Sequence, residues 1–245
     1  MSAPRMRVFA GPNGSGKTTY LKQLLAEHQI ELGTYVNADD IEAVLRTTGR
    51  INFADYQLQL DENEVQAFFR NSLFSPLKRQ ESDLWTKIFV VANVLSTSAV
   101  IDSYLAADIA EMLRKQLLMA HRNFTYETVM SHPGKVAFMK TAKSDGYRVY
   151  LYFIGTQDPE INIDRVAVRV AQAGHAVAPE TIRNRYFKSM AQLKGAVGAS
   201  TRAYLFDNSG DRARLLVQID NGTDLIVNEP DAPMPHWATH YLLDE

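Results

Sequence analysis

Residues Gly11-Pro12-Asn13-Gly14-Ser15-Gly16-Lys17-Thr18 place glycines, a lysine and a hydroxyl at the spacing of a phosphate-binding loop. Gly11, Gly14 and Gly16 allow the backbone to turn tightly and aim its amides at phosphate oxygens. A helix opening at Lys17 adds its positive dipole end. In such a loop Lys17 holds the β- and γ-phosphates, and the Thr18 hydroxyl, followed by Thr19, is placed for Mg²⁺. Taken alone, the loop fits a GTPase, a motor or a transporter ATPase as well as a kinase.

Phosphoryl transfer to an acceptor also needs a group that orients the acceptor and takes its proton. Asp39 and Asp40 follow the short strand Thr34-Tyr35-Val36-Asn37, at a strand's carboxyl end, where open α/β sheets bind ligands. Asp39 is the candidate base and Asp40 its competitor, and either can instead cap a helix beginning near Ile41. Glu127 and Thr128 end another strand and can orient substrate or hold a magnesium-bound water; a cap or a sheet-edge salt bridge accounts for Glu127 equally well. Arg165 and Arg169, four apart on a helix, share a face, and Arg183 and Arg185 follow after the turn Ala173-Gly174-His175. Such a helix-turn-helix lid brings cations to the negative charge of a transferring phosphoryl group, although a solvated helix face carries arginines too. The six histidines show no metal-ligand spacing.

These residues need an α/β frame. Met6 to Ala10 reads as a strand feeding the loop, and Leu21, Leu24 and Leu25 give the next segment helical spacing. From Phe53 to His121 the spacing of Phe68, Phe69, Leu73 and Leu77, then Leu105, Ile109, Leu113 and Leu117, predicts a helical insertion. Within it, Ile88 to Ile101 is expected to be a buried helix. The α/β rhythm resumes with a strand at 124–127, a helix from Pro133 to Lys143, a strand from Tyr147 to Ile154 covered on both faces, and helices from Asp158 to Gln172 and Pro179 to Leu193. A strand at 203–206 follows. A hairpin then turns at Asn221-Gly222, a pair that tolerates positive φ, and an irregular tail carries Pro230, Pro233 and Pro235. No linker separates independent domains, so 1–245 reads as one domain with an insertion at 51–122, lid helices at 158–195 and a hairpin at 211–229.

Composition narrows the partners. With 46% apolar residues the chain can bury a substantial core, and a net charge of −2 with a pI near 6.3 supplies no broad pull toward nucleic acid or an anionic membrane. There is no cysteine, which excludes a thiolate nucleophile and a disulfide framework. The N-terminus leads into an apolar run too short for a signal peptide, and no stretch reaches the roughly 20 apolar residues of a membrane span, so a cytoplasmic protein is expected.

Together, Gly11 to Thr19, Val36-Asn37-Ala38-Asp39-Asp40-Ile41, Phe124-Thr125-Tyr126-Glu127-Thr128, Arg165-Val166 through Arg169-Val170 with Gly174-His175, and Asp207-Asn208-Ser209 resemble the zeta toxin family of P-loop kinases, in order and in spacing. The likeness covers roughly residues 5–41 and 123–210. It implies a nucleoside-kinase-like three-layer α/β sandwich with a mostly parallel sheet, ATP on the loop, and Asp39 at the family's proposed base. Glu127 and Thr128 then fall in the segment contacting substrate or magnesium-bound water, and Arg169, with Arg165, Arg183 and Arg185 as neighbours, in the lid. Asn208 lies where related kinases hold the adenine end. The resemblance also implies an acceptor such as the 3′-hydroxyl of the amino sugar in UDP-N-acetylglucosamine, and a small helical antitoxin as partner. Thr128-Val129-Met130-Ser131 departs from the toxins proper, which have a glycine-threonine pair there. The resulting expectation is an ATP- and Mg²⁺-dependent small-molecule kinase. The competing readings are an ATP-binding regulatory module and, against the weak charge, a polynucleotide end kinase.

Overall fold

The computed structural model describes residues 3–27, 30–72, 80–172 and 176–243. Leu73, Leu77 and the turn Ala173-Gly174-His175 lie outside the described residues. The chain divides into two compact units, Met1–Glu31 with Tyr126–Glu245, and Leu32–Thr125.

In the first unit, β1 (Arg5–Ala10) enters the phosphate loop and α1 (Lys17–Glu27) leaves it. The strand order is β10-β9-β8-β7-β1-β6, where β6 is Phe124–Thr128, β7 Arg148–Gly155, β8 Arg202–Asp207, β9 Arg214–Asp220 and β10 Asp224–Val227. Strands β1, β7 and β8 run parallel, whereas β9 and β10 are antiparallel additions at the edge. Parallel strands buried on both faces are near-continuously apolar, and β7 fits this with Val149, Leu151, Phe153 and Ile154 fully buried. Its alternation assigns the layers. Phe9, Tyr152 and Tyr204 are cross-strand partners whose rings stack at 4.5 and 5.1 Å, and Tyr20 of α1 meets Phe206 at 4.3 Å on the same side. Phe153, one residue on and so on the opposite face, meets Trp237 at 6.2 Å. Helical segments therefore cover both faces, and the fold is the expected α/β sandwich with a mostly parallel sheet.

The edge hairpin forms where Asn-Gly indicates, with Asn221 and Gly222 at φ 52° and 79°. The proline-bearing tail is not irregular throughout. After α5 (Pro133–Ser144), α6 (Pro159–Ala171), α7 (Pro179–Met190) and α8 (Leu193–Ala199), the chain beyond Pro235 turns into α9 (His236–Ala238), continued by a wider turn over Thr239–Leu243. Trp237 is only 2% exposed there and lies so close over Gly155 that a Cβ on that glycine would be 2.6 Å from the indole.

In the second unit, β2 (Thr34–Val36) lies beside the chain entering β6, Thr34 N–H donating to Asn123 C=O at 2.9 Å. Helix α2 (Ala38–Thr48) ends at Gly49, whose φ of 69° is the left-handed cap. The segment expected as a helical insertion does contain helices, α3 (Glu62–Asn71) and α4 (Ser103–Met119), and Leu105, Ile109, Leu113 and Leu117 are buried along α4. It also holds a three-stranded antiparallel sheet, order β3-β5-β4, of β3 (Arg50–Asn52), β4 (Ile88–Val91) and β5 (Val94–Thr97). The helix expected over Ile88–Ile101 is thus a hairpin. Ala92 and Asn93 turn it at φ 50° and 67°, and the Asn93 side chain ties the turn down by accepting from Leu60 N–H at 2.9 Å and donating to Leu58 C=O at 3.0 Å. Its β-branched, alternating residues suit a strand, with Ile88 buried and Phe89 and Val91 outward.

Candidate active site

The phosphate loop stands between the carboxyl end of β1 and the first turn of α1. Lys17 Nζ donates to the carbonyls of Gly11 and Pro12, both at 2.8 Å, which folds the ammonium back along the loop. Two elements from outside the loop grip it. Asn162, fully buried on α6 (Pro159–Ala171), donates Nδ2 to Asn13 C=O at 2.7 Å, and Asn208, just past β8, donates Nδ2 to Ser15 C=O at 2.8 Å. Gly14 and Gly16 are at φ 75° and 91°. A Cβ at Gly14 would lie 2.4 Å from Asn162 O, and one at Gly16 would lie 2.4 Å from Asn208 Nδ2. Only glycine satisfies both the backbone angle and the contact.

In the first turn of α1, Thr18 Oγ1 donates to Glu127 Oε2 at 2.7 Å, so the hydroxyl expected at the metal and the carboxylate at the end of β6 stand together. Thr128 is engaged locally instead, its Oγ1 accepting from Met130 N–H at 3.0 Å and bracing a residue held at φ 55°. Both oxygens of the Thr18–Glu127 pair are hard donors.

The four arginines do not form one free cluster. Arg165 donates from Nη1 to Asn208 C=O at 2.6 Å and from Nη2 to Gly210 C=O at 2.8 Å, bracing α6 against the turn after β8. Arg183, on α7 (Pro179–Met190), pairs with Glu160 of α6 at 2.6 Å and with Glu180 at 3.0 Å, and these carboxylates raise its already high pKa. Arg169 lies one turn beyond Arg165 on α6, its Nε shielded from solvent, and Arg185 is half-buried on α7. Asn208, expected at the adenine end, has its side-chain amide on the loop, and its backbone N–H donates to Gly155 C=O at 2.8 Å.

In the second unit, the cap of α2 is neither Asp39 nor Asp40. Asn37 takes that place, its Oδ1 accepting from Asp39 N–H at 2.9 Å, because the helix starts at Ala38, earlier than the apolar spacing indicated. Both aspartates thereby occupy the exposed first turn, where the helix dipole favours carboxylates. Tyr56 is close by; burial raises its hydroxyl pKa, and the charges of Asp40 and then Asp55 raise it further.

Sequence reasoning missed Asn162, Thr156 and Tyr186. Thr156 Oγ1 donates to Asn162 Oδ1, and Tyr186 OH donates to Thr156 C=O at 2.6 Å, its pKa raised by burial first and by Tyr241, Asp158 and Asp207 after it. The available signal was spacing, since Asn162 is three residues before Arg165 on the same face of α6. Among the described residues no helix is long and apolar enough to cross a membrane, and no group of three or more His, Cys, Asp or Glu could hold a metal ion.

A 66-residue stretch is 38% identical to an uncharacterized protein of Haemophilus influenzae; it is 27% of this chain and spans about half, 47%, of that relative. Among solved structures, a chain of the PezAT chromosomal toxin–antitoxin system of Streptococcus pneumoniae superposes with a TM-score of 0.54 at 14% identity, over 100% of this chain and 80% of that one. A chain of the AvrRxo1-ORF1:AvrRxo1-ORF2 complex superposes with TM-scores of 0.54 in the structure with sulphate ions and 0.53 in that with ATP. The identities are 14% and 12%, over 92% of this chain and 61% and 60% of the other. At these identities the likeness is one of fold. The zeta toxin profile matches residues 91–217, more than half of the sequence, including Glu127, Asn162, Arg165, Arg169, Arg183, Arg185 and Asn208. On that match, the chain belongs to the zeta toxin family.

Proposed function

We propose that this chain is an ATP-dependent kinase that transfers the γ-phosphate to a hydroxyl of a small molecule, with a nucleotide sugar such as UDP-N-acetylglucosamine as the acceptor. The observation that carries the reading is the pairing of Thr18 with Glu127 beside a gripped, glycine-bearing loop. Family membership and the ATP present in the AvrRxo1-ORF1:AvrRxo1-ORF2 structure support it.

In this reading Lys17 exchanges its contacts with the Gly11 and Pro12 carbonyls for the β- and γ-phosphates, while Asn13, Ser15 and the loop glycines line the phosphate path. Thr18, with Glu127 behind it, would hold Mg²⁺, whose hard-oxygen preference the pair fits and which, when bound, neutralises charge on the phosphates. Asp39 accepts the proton of the acceptor hydroxyl, with Asp40, Glu127 and Thr128 orienting the acceptor. Arg169, with Arg165 beside it on α6 and Arg183 and Arg185 from α7, brings positive charge to the transferring group, as the lid of the family implies. The toxin–antitoxin origin of the Streptococcus pneumoniae neighbour supports a small antitoxin protein as partner.

The test is turnover. Purified protein with ATP and Mg²⁺ should form ADP steadily only when a hydroxyl acceptor is added, and Lys17→Ala should abolish this. ATP binding without acceptor-stimulated ADP formation would instead favour a regulatory module that binds nucleotide and does not consume it.

A further inference from the structure

The phosphate loop is shaped from outside. A peptide unit is planar and trans, so the C=O of one residue and the N–H of the next point in opposite directions. Asn162 fixes the Asn13 carbonyl and Asn208 fixes the Ser15 carbonyl. The amides of Gly14 and Gly16 must therefore point away from the two asparagines. Without such pins, a stretch with glycines at three positions would sample many conformations and lose that freedom on binding a ligand.

Each pin is itself held. Asn162 is fully buried, with its Oδ1 taken by the hydroxyl of Thr156, which is also fully buried; the Thr156 carbonyl in turn accepts from Tyr186 on α7 at 2.6 Å. Asn208 is fixed through both ends of its backbone, its N–H donating to Gly155 and its C=O accepting from Arg165. The Thr156 bond selects the orientation of the Asn162 amide, since Oδ1 must accept on one side for Nδ2 to donate on the other.

We infer that Asn162 and Asn208 are positioning residues that hold Gly14 and Gly16 amides in a phosphate-receiving orientation before nucleotide arrives, with Thr156 and Tyr186 bracing Asn162 from behind. The part concerning nucleotide rests on the kinase reading; the part concerning loop order does not. Preorganisation of this kind acts on affinity by lowering the ordering cost of binding.

The experiment measures two quantities on the full chain: the order parameters of the Gly14 and Gly16 amides in the nucleotide-free protein, by ¹⁵N relaxation, and the Kd for ATP by calorimetry. Asn162→Ala should lower the order parameter at Gly14, Asn208→Ala should lower it at Gly16, and each should raise the Kd about tenfold to a hundredfold, the loss expected for one buried hydrogen bond that leaves a carbonyl unpaired. Thr156→Val, which keeps volume and removes only the hydroxyl, should move both quantities in the same direction by less, and it carries the test should Asn162→Ala fail to fold. Unchanged order parameters with a Kd within about twofold of the parent overturn the inference, because a difference that small is under half a kcal/mol. Should the parent bind no ATP, the kinase reading fails, and the order parameters of the two glycines alone decide whether the asparagines order the loop.

Discussion

The hydroxyl of Thr18 donates to Glu127 Oε2 across 2.7 Å, joining the first turn after the phosphate loop to the carboxyl end of β6. A hydroxyl aimed at a carboxylate is oriented before any cation arrives, as are metal ligands backed by a hydrogen-bonding partner. Glu127→Gln should therefore raise the Mg²⁺ concentration needed for half-maximal phosphoryl transfer by about tenfold to a hundredfold. Thr18→Ala should do at least as much, Thr18→Ser should restore most of the loss, and chelation by EDTA should stop transfer in the parent. A magnesium titration that superposes for parent and Glu127→Gln would remove Glu127 from the metal's surroundings.

Asp39 and Asp40 share the exposed first turn of α2, and Asn37 relieves both of capping. Asp39→Asn should lower kcat by about a hundredfold to ten-thousandfold, the range of a lost general base, with the Kd for ATP close to the parent's. Asp40→Asn should have the smaller effect. If the two losses are reversed, the base is Asp40.

Gly155 is fixed by packing, since an added Cβ would meet Trp237 at 2.6 Å while the indole N–H donates to Asp207 Oδ1 at 3.0 Å. Gly155→Ala should destabilise the protein by about 1–3 kcal/mol, the usual cost of overpacking. Denaturant titration followed by tryptophan fluorescence measures it; an unchanged midpoint would mean that the tail is not docked on β7 in solution.

Tyr147 is 3% exposed; burial first and Asp145 second push its hydroxyl from 10.0 up to about 12. The folded protein keeps this proton up to about pH 12, whereas the unfolded chain releases it near 10. The stability it contributes is thus fully present below pH 10 and lost as pH rises from 10 toward 12. The melting temperature of Tyr147→Phe should fall less steeply than the parent's across that window, and parallel curves would remove Tyr147 as a cause of alkaline unfolding.

Much of this fold was legible because its signals are local. The loop from Gly11 to Thr18 and the Asn221-Gly222 turn both rest on residues that adopt positive φ readily, and β7 announces its burial by an unbroken apolar run. The hairpin over β4 and β5 was not legible, since its turn places Ala92 at φ 50°, which composition alone disfavours, and the side-chain contacts of Asn93 that support it reach back to Leu58 and Leu60. At the site, residue types marked Lys17, Thr18 and Glu127. Asn162 was invisible for a different reason: an asparagine inside a helix carries no signal of its own, and its partner Asn13 is 149 residues away in the chain. The arginines were legible only in part, because helical spacing put Arg165 and Arg169 on one face but could not reveal that Arg165 donates to the carbonyls of Asn208 and Gly210.

The central claim is tested most directly by mass spectrometry of a panel of nucleotide sugars incubated with the protein, ATP and Mg²⁺. One of them, with UDP-N-acetylglucosamine the first choice, should gain a single phosphoryl group on a hydroxyl in parallel with ADP formation, and should gain none with Asp39→Asn. ADP formation with every sugar unmodified and the phosphoryl group recovered as free phosphate or on the protein itself would contradict it.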